Sequence, residues 1–258
     1  MLKVTTAFNG SSRLGNKLLV IAGCCVVARI LKLQINSQEL LKMGSWLERN
    51  NWGHKFLENF TINEKYLNGE RIDEPVIKLT QDFVESNIDV ERWKRGQYHI
   101  EGDSLMVHSF ILKYCGEYKD VYNIKPPVQS QEGVFVHYRG GDQPQPSVGT
   151  YEYYKKALEY LNTTSGYITT DRMSFEEPMV NQLVREFNLK KVPIDYSPID
   201  TLLFARGFNY MVLDRGSYSW WLGTFTQPKK AYCYIPPDNF NWGVNLHQVY
   251  PNWEPLSG

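Results

Sequence analysis

The 258-residue chain has no excess of charge of either sign and few cysteines. It carries 28 Lys and Arg residues against 28 Asp and Glu residues, so its formal net charge is zero. Such a balance offers no basic surface, and we expect no nucleic-acid partner. The four cysteines are Cys24, Cys25, Cys115 and Cys233, and no two of them have C-x-x-C spacing. We therefore expect reduced, buried thiols rather than a disulfide framework or a zinc site.

Several catalytic motifs are also missing. No Asp-x-Asp occurs, so the usual metal clamp on a nucleotide diphosphate is absent, and no His, Glu and Cys cluster has metal-ligand spacing. No Gly-x-Ser-x-Gly marks a hydrolase nucleophile. In the loop 10–17, Asn16 separates Gly15 from Lys17, which breaks the Walker A spacing, and Ser12 replaces the central glycine of the dinucleotide fingerprint. We predict neither a kinase nor a Rossmann dehydrogenase, with no metal ion and no cofactor.

One apolar run, residues 18–27, follows Lys17 and imitates the core of a secretory signal. It is too short to span a bilayer, and Arg29 interrupts the apolar pattern. Residues 2–8 favour a strand and residues 9–16 a loop, so we predict a buried helix from about Asn16 to Leu33 behind a first strand. We expect a cytoplasmic protein without a transmembrane segment, and peripheral membrane attachment is left open.

The first half is otherwise less regular. Residues 103–118 predict an Asp-capped helix with Met106, Phe110 and Tyr114 on one face, and residues 38–95 have no clear pattern. Residues 125–133, with two consecutive prolines, are the best linker candidate. We therefore divide the chain into domains 1–128 and 129–258.

The second half alternates between strand and helix patterns. Strand patterns occupy residues 134–138, 167–170, 192–195, 210–213 and 231–235. Helical patterns lie between them at residues 151–161, 176–187, 200–206 and 219–225. Such alternation with short connections is typical of a doubly wound parallel sheet, so the fold class is α/β.

Ligands of such a sheet bind at the carboxyl ends of its strands, where helix N-termini offer N–H groups to anions. Arg139 follows a strand there, and its guanidinium matches two phosphate oxygens at once. Ser217 and Ser219 stand where a strand turns into a helix, and they suit a second phosphate. Asp171 and Asp200 suit hydrogen bonds from a guanine edge, a ribose or sugar hydroxyls.

The alternative interpretation of these strand-end residues is structural. Arg139 then pairs with Asp142, Ser217 caps a helix, and His137 is a satisfied core histidine. Taken one at a time, the structural and the functional interpretations have about equal weight. Their convergence on one edge of one sheet favours a nucleotide site.

Taken in order, these motifs resemble those of α-1,2-fucosyltransferases. Residues 13–18 (RLGNKL) resemble the family's opening G-x-L-G-N-Q segment, and residues 136–142 (VHYRGGD) resemble H-x-R-R-G-D. Residues 169–171 (TTD) are similar to S/T-D-D, residues 217–221 (SYSWW) to S/T-F-S-W-W, and the tail 250–253 (YPNW) also has family character. The resemblance covers the chain from Arg13 to Trp253.

The resemblance implies two facing Rossmann-like domains of the GT-B type, with the donor bound by the C-terminal one and the acceptor mainly by the N-terminal one. It implies metal-independent, inverting transfer of L-fucose from a GDP-sugar donor to a glycan acceptor. The residues carried over are Arg139 and Asp171 as catalytic residues; His137, Asp142, Asp200, Ser217, Tyr218 and Ser219 as donor-binding residues; and Gly15 and Asn16 in an acceptor-side loop.

Two positions depart from the family pattern. Gly140 stands where the family has its second arginine, and Arg172 stands where it has its second carboxylate. Arg172 is a candidate replacement for the lost cation from a neighbouring strand end. Two alternatives remain open: a GDP- or carbohydrate-binding protein that has lost catalysis, and a transferase that uses a different GDP-hexose.

Overall fold

The computed structural model describes residues 2–3, 14–35, 53–100, 104–125, 129–140, 148–236 and 250–257. The chain divides into two compact units, Met1–Lys125 and Pro126–Gly258. The division falls inside the stretch 125–133 that the sequence marks as a linker, although its two prolines lie outside the described residues.

The N-terminal unit combines a short parallel sheet with an antiparallel pair of strands. Its strands are β1 (Leu2–Lys3), β2 (Phe60–Ile62), β3 (Val76–Leu79), β4 (Gln97–Ile100) and β5 (Tyr122–Ile124). β1, β4 and β3 form the parallel sheet in that order, and β2 pairs antiparallel with β5. Its helices are α1 (Leu14–Leu31), α2 (Gly53–Asn59), α3 (Gln81–Ser86), α4 (His108–Lys113) and α5 (Cys115–Asp120).

Helix α1 is apolar on nearly all sides because it is a core helix of this unit. By length and composition it could cross a membrane, but 83% of it is buried inside the structure. The hydroxyl of Tyr122 donates to the Leu18 carbonyl at 2.9 Å, and a Cβ on Gly23 would lie only 2.7 Å from the Tyr118 hydroxyl. The prediction of a buried helix is therefore confirmed. The thiols of Cys24 and Cys25 within it are free and buried.

The remaining cysteines are also free: Cys233 is buried, whereas Cys115 is only partly buried. The predicted burial thus holds for three of the four cysteines. Burial raises the pKa of the Cys24, Cys25 and Cys233 thiols above the ordinary value, so these thiols stay protonated.

Three predictions for this unit need correction or restriction. Helix α1 begins at Leu14, so Gly15 and Asn16 lie in its first turn rather than in a loop. A single helix over residues 103–118 is wrong, because α4 begins at His108 and the backbone leaves helical geometry at Tyr114. The Tyr114 hydroxyl is fixed by the Val90 N–H and the Glu91 carboxylate, and these tertiary contacts outweigh helical periodicity. Of the predicted strand 2–8, residues 4–8 lie outside the described part.

The C-terminal unit is built on six parallel strands. They are β6 (Gln131–His137), β7 (Gly166–Thr169), β8 (Leu189–Lys191), β9 (Phe208–Leu213), β10 (Lys230–Tyr234) and β11 (Trp253–Leu256). The helices between them are α6 (Tyr151–Tyr160), α7 (Pro178–Glu186), α8 (Pro198–Ala205) and α9 (Ser217–Thr226). The predicted α/β class with a parallel sheet is confirmed.

The sheet order is β11-β10-β9-β6-β7-β8. Counted from the first strand of the unit, this is the order 3-2-1-4-5-6 of dinucleotide-binding sheets, and the direction of winding reverses between β6 and β9. The crevice outside the carboxyl ends of these two strands is where such sheets bind ligands. The residues that follow β6 and β9 therefore line the crevice of this sheet.

Helices cover both faces of this sheet. Buried residues of α6 and α7, such as Leu158 and Leu183, pack in one cluster with Val134 and Val136 of β6. On the opposite face the ring of Phe135 contacts that of Phe204 in α8, with centroids 6.3 Å apart. Val134 and Val136 thus face one side of the sheet and Phe135 faces the other, as the two-residue period of a strand requires.

Two strands differ from the sequence prediction. β8 ends at Lys191, whereas the pattern predicted residues 192–195, because Asn188 takes a left-handed conformation (φ 48°) and returns the chain to the sheet three residues earlier. β11 was not predicted, because it contains Pro255. A proline is tolerated in this strand because β11 lies at the edge of the sheet.

Candidate functional site

The carboxyl ends of β6 and β9 lie side by side, with His137 in register with Leu213. Polar residues follow both strands, and three residues separate the end of β9 from the start of helix α9. We call this group the switch-point cluster; its members are His137, Arg139, Asp214, Arg215 and the first turn of α9, Ser217, Tyr218 and Ser219. All of these residues lie at the carboxyl end of β6 or β9 or in the chain that directly follows it.

Asp214 holds the cluster together. Its Oδ2 atom accepts the Arg139 N–H at 3.0 Å and the Tyr154 hydroxyl, while its Oδ1 atom accepts the N–H groups of Gly149 at 3.0 Å and Arg215 at 2.7 Å. The carboxylate is completely buried, and burial raises its pKa to about 6 although these hydrogen bonds oppose the shift. One buried carboxylate thus links three segments of the chain: the residues after β6, those before α6 and those after β9.

The guanidinium of Arg139 lies against the backbone of Gly216. A Cβ on Gly216 would lie 2.2 Å from Arg139 Nη1, and the φ of Gly216 is 116°, which a side chain rarely permits. The Nε atom of Arg139 is buried and has no hydrogen-bond partner within the described ranges. Such a buried donor is costly to leave unpaired, and an anionic ligand oxygen is a suitable partner.

His137 is a neutral member of the cluster. Its Nδ1 atom lies 2.7 Å from Ser219 Oγ, and its ring packs edge to face with that of Tyr218. Burial, and next the charge of Arg139, lower the pKa of His137 to about 3. Near neutral pH the imidazole therefore brings no positive charge, and with Ser219 it holds the end of β6 against α9.

Helix α9 begins directly at the cluster. Gly216 occupies its N-cap position and Ser217 is its first helical residue, so the structural prediction that Ser217 caps the helix is wrong. Helix starts carry partial positive charge and N–H groups that favour anions. The Tyr218 hydroxyl donates to the Pro198 carbonyl at 2.6 Å, and both Trp220 and Trp221 are fully buried. The S-Y-S-W-W segment thereby anchors this helix in the core.

Asp171 and Asp200 lie at other strand ends and are engaged locally. Asp171 follows β7, and its Oδ1 atom accepts the Ser174 N–H at 3.0 Å, which forms a turn. Asp200 is in the first turn of α8, where its carboxylate and the side chain of Ser197 bond each other's backbone N–H in a capping box. The four hydrogen bonds that Asp214 accepts from described residues come from Arg139, Gly149, Tyr154 and Arg215.

The other site predictions fall elsewhere. Asp142 lies outside the described residues, so neither its predicted role nor its predicted pairing with Arg139 is tested. Gly15 and Asn16 belong to α1 in the N-terminal unit. Gly140, where the family has an arginine, packs tightly: a Cβ there would lie 2.0 Å from Ser174 Oγ.

The sequence places Asp214 and Arg215 directly after a predicted strand and before a predicted helix, but sequence reasoning gave neither residue a role. Tyr154, which donates to Asp214, was predicted only as part of the helix 151–161. Their importance depends on contacts between distant parts of the chain, because Tyr154 and Asp214 are 60 residues apart.

In the part of the chain that the structure describes, no group of three or more His, Cys, Asp and Glu side chains is arranged to hold a metal ion. Comparisons with protein-family models, with curated proteins and with solved structures gave no significant match to this chain.

Proposed function

We propose that the chain is an inverting glycosyltransferase that transfers a sugar, L-fucose, from a GDP-sugar to a glycan hydroxyl without a metal ion. The switch-point cluster binds the diphosphate of the donor. The observation that carries this proposal is the position of Arg139, whose guanidinium lies against Gly216 at the start of α9, where the sheet order reverses. The assignment of both units as Rossmann-like domains of the GT-B type belongs to the same proposal.

Two physical features support a diphosphate at this place. A guanidinium bonds two phosphate oxygens at once, and a helix start adds N–H groups and a partial positive charge. Both features meet at Gly216, which lacks a side chain and so lets the Arg139 guanidinium lie close to the backbone at the start of α9. These groups can compensate the charge of a diphosphate in the way a metal ion does in other transferases.

The donor contacts follow the motif resemblance. His137 and Asp200 contact the guanosine, and Asp142 is a further donor-binding residue. Ser217, Tyr218 and Ser219 contribute to the phosphate site. Because the Ser219 hydroxyl is buried against His137, we assign its contribution to the backbone at the start of α9. Gly15 and Asn16 serve the acceptor side, and the protein acts in the cytoplasm.

In the proposed reaction the bond between the sugar C1 and the β-phosphate oxygen breaks as the acceptor oxygen bonds C1 from the opposite face. The sugar passes through an oxocarbenium-like transition state, and negative charge develops on the leaving phosphate. Arg139 stabilises this charge where it forms. The proton of the acceptor hydroxyl leaves to a base, for which Asp171 is the candidate by position.

Release of GDP from GDP-L-fucose in the presence of glycan acceptors tests the proposal. Arg139→Ala should lower turnover by about 10²–10³-fold, because the variant lacks the guanidinium that stabilises the leaving group. Arg185→Ala, an exposed arginine of α7, is the matched control and should keep its turnover. Near-normal turnover of Arg139→Ala would show that the assignment is wrong. GDP binding without transfer from any GDP-hexose in a donor panel would instead favour the non-catalytic binding protein.

A further inference from the structure

Arg139 and Arg215 are anchored on the same buried carboxylate. The Arg139 N–H bonds Asp214 Oδ2 and the Arg215 N–H bonds Asp214 Oδ1, at 3.0 and 2.7 Å. Arg215 also directly precedes Gly216, against which the Arg139 guanidinium lies. The two arginines therefore come from adjacent strands and flank one glycine at the start of α9.

The two guanidinium groups are close enough to interact electrostatically. Burial, and next the positive charge of Arg139, lower the pKa of Arg215, while the Asp214 carboxylate opposes the shift. Repulsion between two cations held together in a partly buried place costs free energy. An anion with two or more negative charges bound between them converts this cost into a gain.

Gly140 occupies the position of the second arginine in fucosyltransferases, and a side chain there would require the neighbouring residues to move. A Cβ on Gly140 would lie 2.0 Å from Ser174 Oγ, 2.7 Å from Ser174 Cβ and 2.8 Å from Tyr138 Cε1. Ser174 is fully buried, so it has little room to move away. The position directly after Arg139 therefore has no room for a second cationic side chain.

Arg172 and Arg215 are the two candidates at neighbouring strand ends. Arg172 follows β7, on the side of β6 away from β9, and its side chain is exposed. Arg215 follows β9, next to the start of α9, and shares Asp214 with Arg139. The hydrogen bonds and the strand order therefore favour Arg215.

We propose that Arg215 is the second phosphate-binding residue of the switch-point cluster and that it binds a diphosphate together with Arg139. This inference rests on the proposed function, since it names the residue that completes the same anion site. The phosphate site then takes Arg139 from the end of β6 and Arg215 from the end of β9. In the family motif, two consecutive arginines come from the end of a single strand.

Calorimetric titration of the full chain with inorganic pyrophosphate and with GDP tests the proposal. Arg215→Gln should weaken the binding of both ligands by about 10- to 100-fold, the range expected for a lost charge-assisted hydrogen bond. Arg172→Gln, the matched control, should bind both ligands within about twofold of the wild type. Denaturant unfolding of each variant shows whether it is folded.

The outcomes separate the two proposals. If the wild type binds neither ligand, the proposed function fails. If the wild type binds both ligands and a folded Arg215→Gln binds them equally well, only the role of Arg215 is overturned. Should Arg215→Gln not fold, modification of the wild type by phenylglyoxal decides the question. Pyrophosphate is then expected to protect both Arg139 and Arg215, and unprotected Arg215 would overturn the proposal.

Discussion

The ends of β6 and β9 and the ends of β7 and β8 belong to one parallel sheet, but their polar residues are used differently. After β6 and β9, Asp214 accepts the N–H of Arg139, which is 75 residues away in the chain. After β7 and β8, Asp171 and Asp200 each bond a residue only three positions away. The hydrogen bonds of Asp214 thus join distant parts of the chain, whereas the turn of Asp171 and the capping box of Asp200 are local.

This difference is our reason for choosing the ends of β6 and β9 as the candidate ligand site. A capping box or a turn forms wherever a helix or loop begins, so it says little about binding. A buried carboxylate that joins three separate loops has a large desolvation cost and fixes the positions of two arginines. Preorganised charges of this kind are what a diphosphate site requires.

The largest effect is expected from Asp214→Asn. The amide nitrogen is a donor, so at either position it faces N–H or O–H donors and leaves them buried without an acceptor. We expect a loss of about 3–5 kcal/mol in the free energy of unfolding, measured by urea denaturation. Asp171→Asn is the matched control and should lose less than about 1 kcal/mol. Equal losses in the two variants would remove the distinction between the two pairs of strand ends.

An intermediate effect is expected from Gly140→Ala. The added methyl group meets Ser174 and Tyr138 at less than 3 Å, so the loop must shift. We expect a loss of about 1–3 kcal/mol in the free energy of unfolding. The double variant Gly140→Ala/Ser174→Gly removes the nearest contacts and should regain part of this loss. Full stability of Gly140→Ala alone would mean that the chain after β6 is not tightly packed.

The smallest effect is a change in pH dependence in His137→Asn. The pKa of His137 is lowered from 6.5 to about 3, so its contribution to the free energy of unfolding decreases as the pH falls below about 6.5. The pKa of Asp214 is raised from 3.8 to about 6, so its contribution has the opposite sign and stability is lost as the pH rises through 6. Between about pH 4 and 6 the two contributions oppose each other.

His137→Asn removes the histidine contribution and leaves that of Asp214. As the pH is lowered from 6 to 4.5, the variant should gain stability relative to the wild type by up to about 1.4 kcal/mol per pH unit. Denaturant unfolding at a series of pH values measures this difference. A difference that does not change with pH would show that His137 is not held neutral by burial.

The sequence predicts the C-terminal sheet well because each strand and helix there carries its own periodicity. The errors occur where a few residues override the pattern, as Asn188 does before β8 and Pro255 does within β11. In the N-terminal unit the hydroxyl of Tyr114 is fixed by residues more than 20 positions away, and no local pattern reveals the resulting break between α4 and α5.

The same limit applies to the candidate site. Arg139 could be selected from the sequence, because the general rule about strand ends in parallel sheets applies to it. Asp214 could not be assigned a role, since its partners Gly149 and Tyr154 are 65 and 60 residues away. Arg215 gains its significance only when β9 is known to lie beside β6.

Calorimetric titration of the wild type with GDP, in the presence and absence of EDTA, tests most directly whether the cluster is a metal-free diphosphate site. We expect GDP to bind with the same affinity in both conditions, and UDP to bind more weakly. No binding of GDP, or binding that EDTA abolishes, would contradict a site formed by arginines and a helix start.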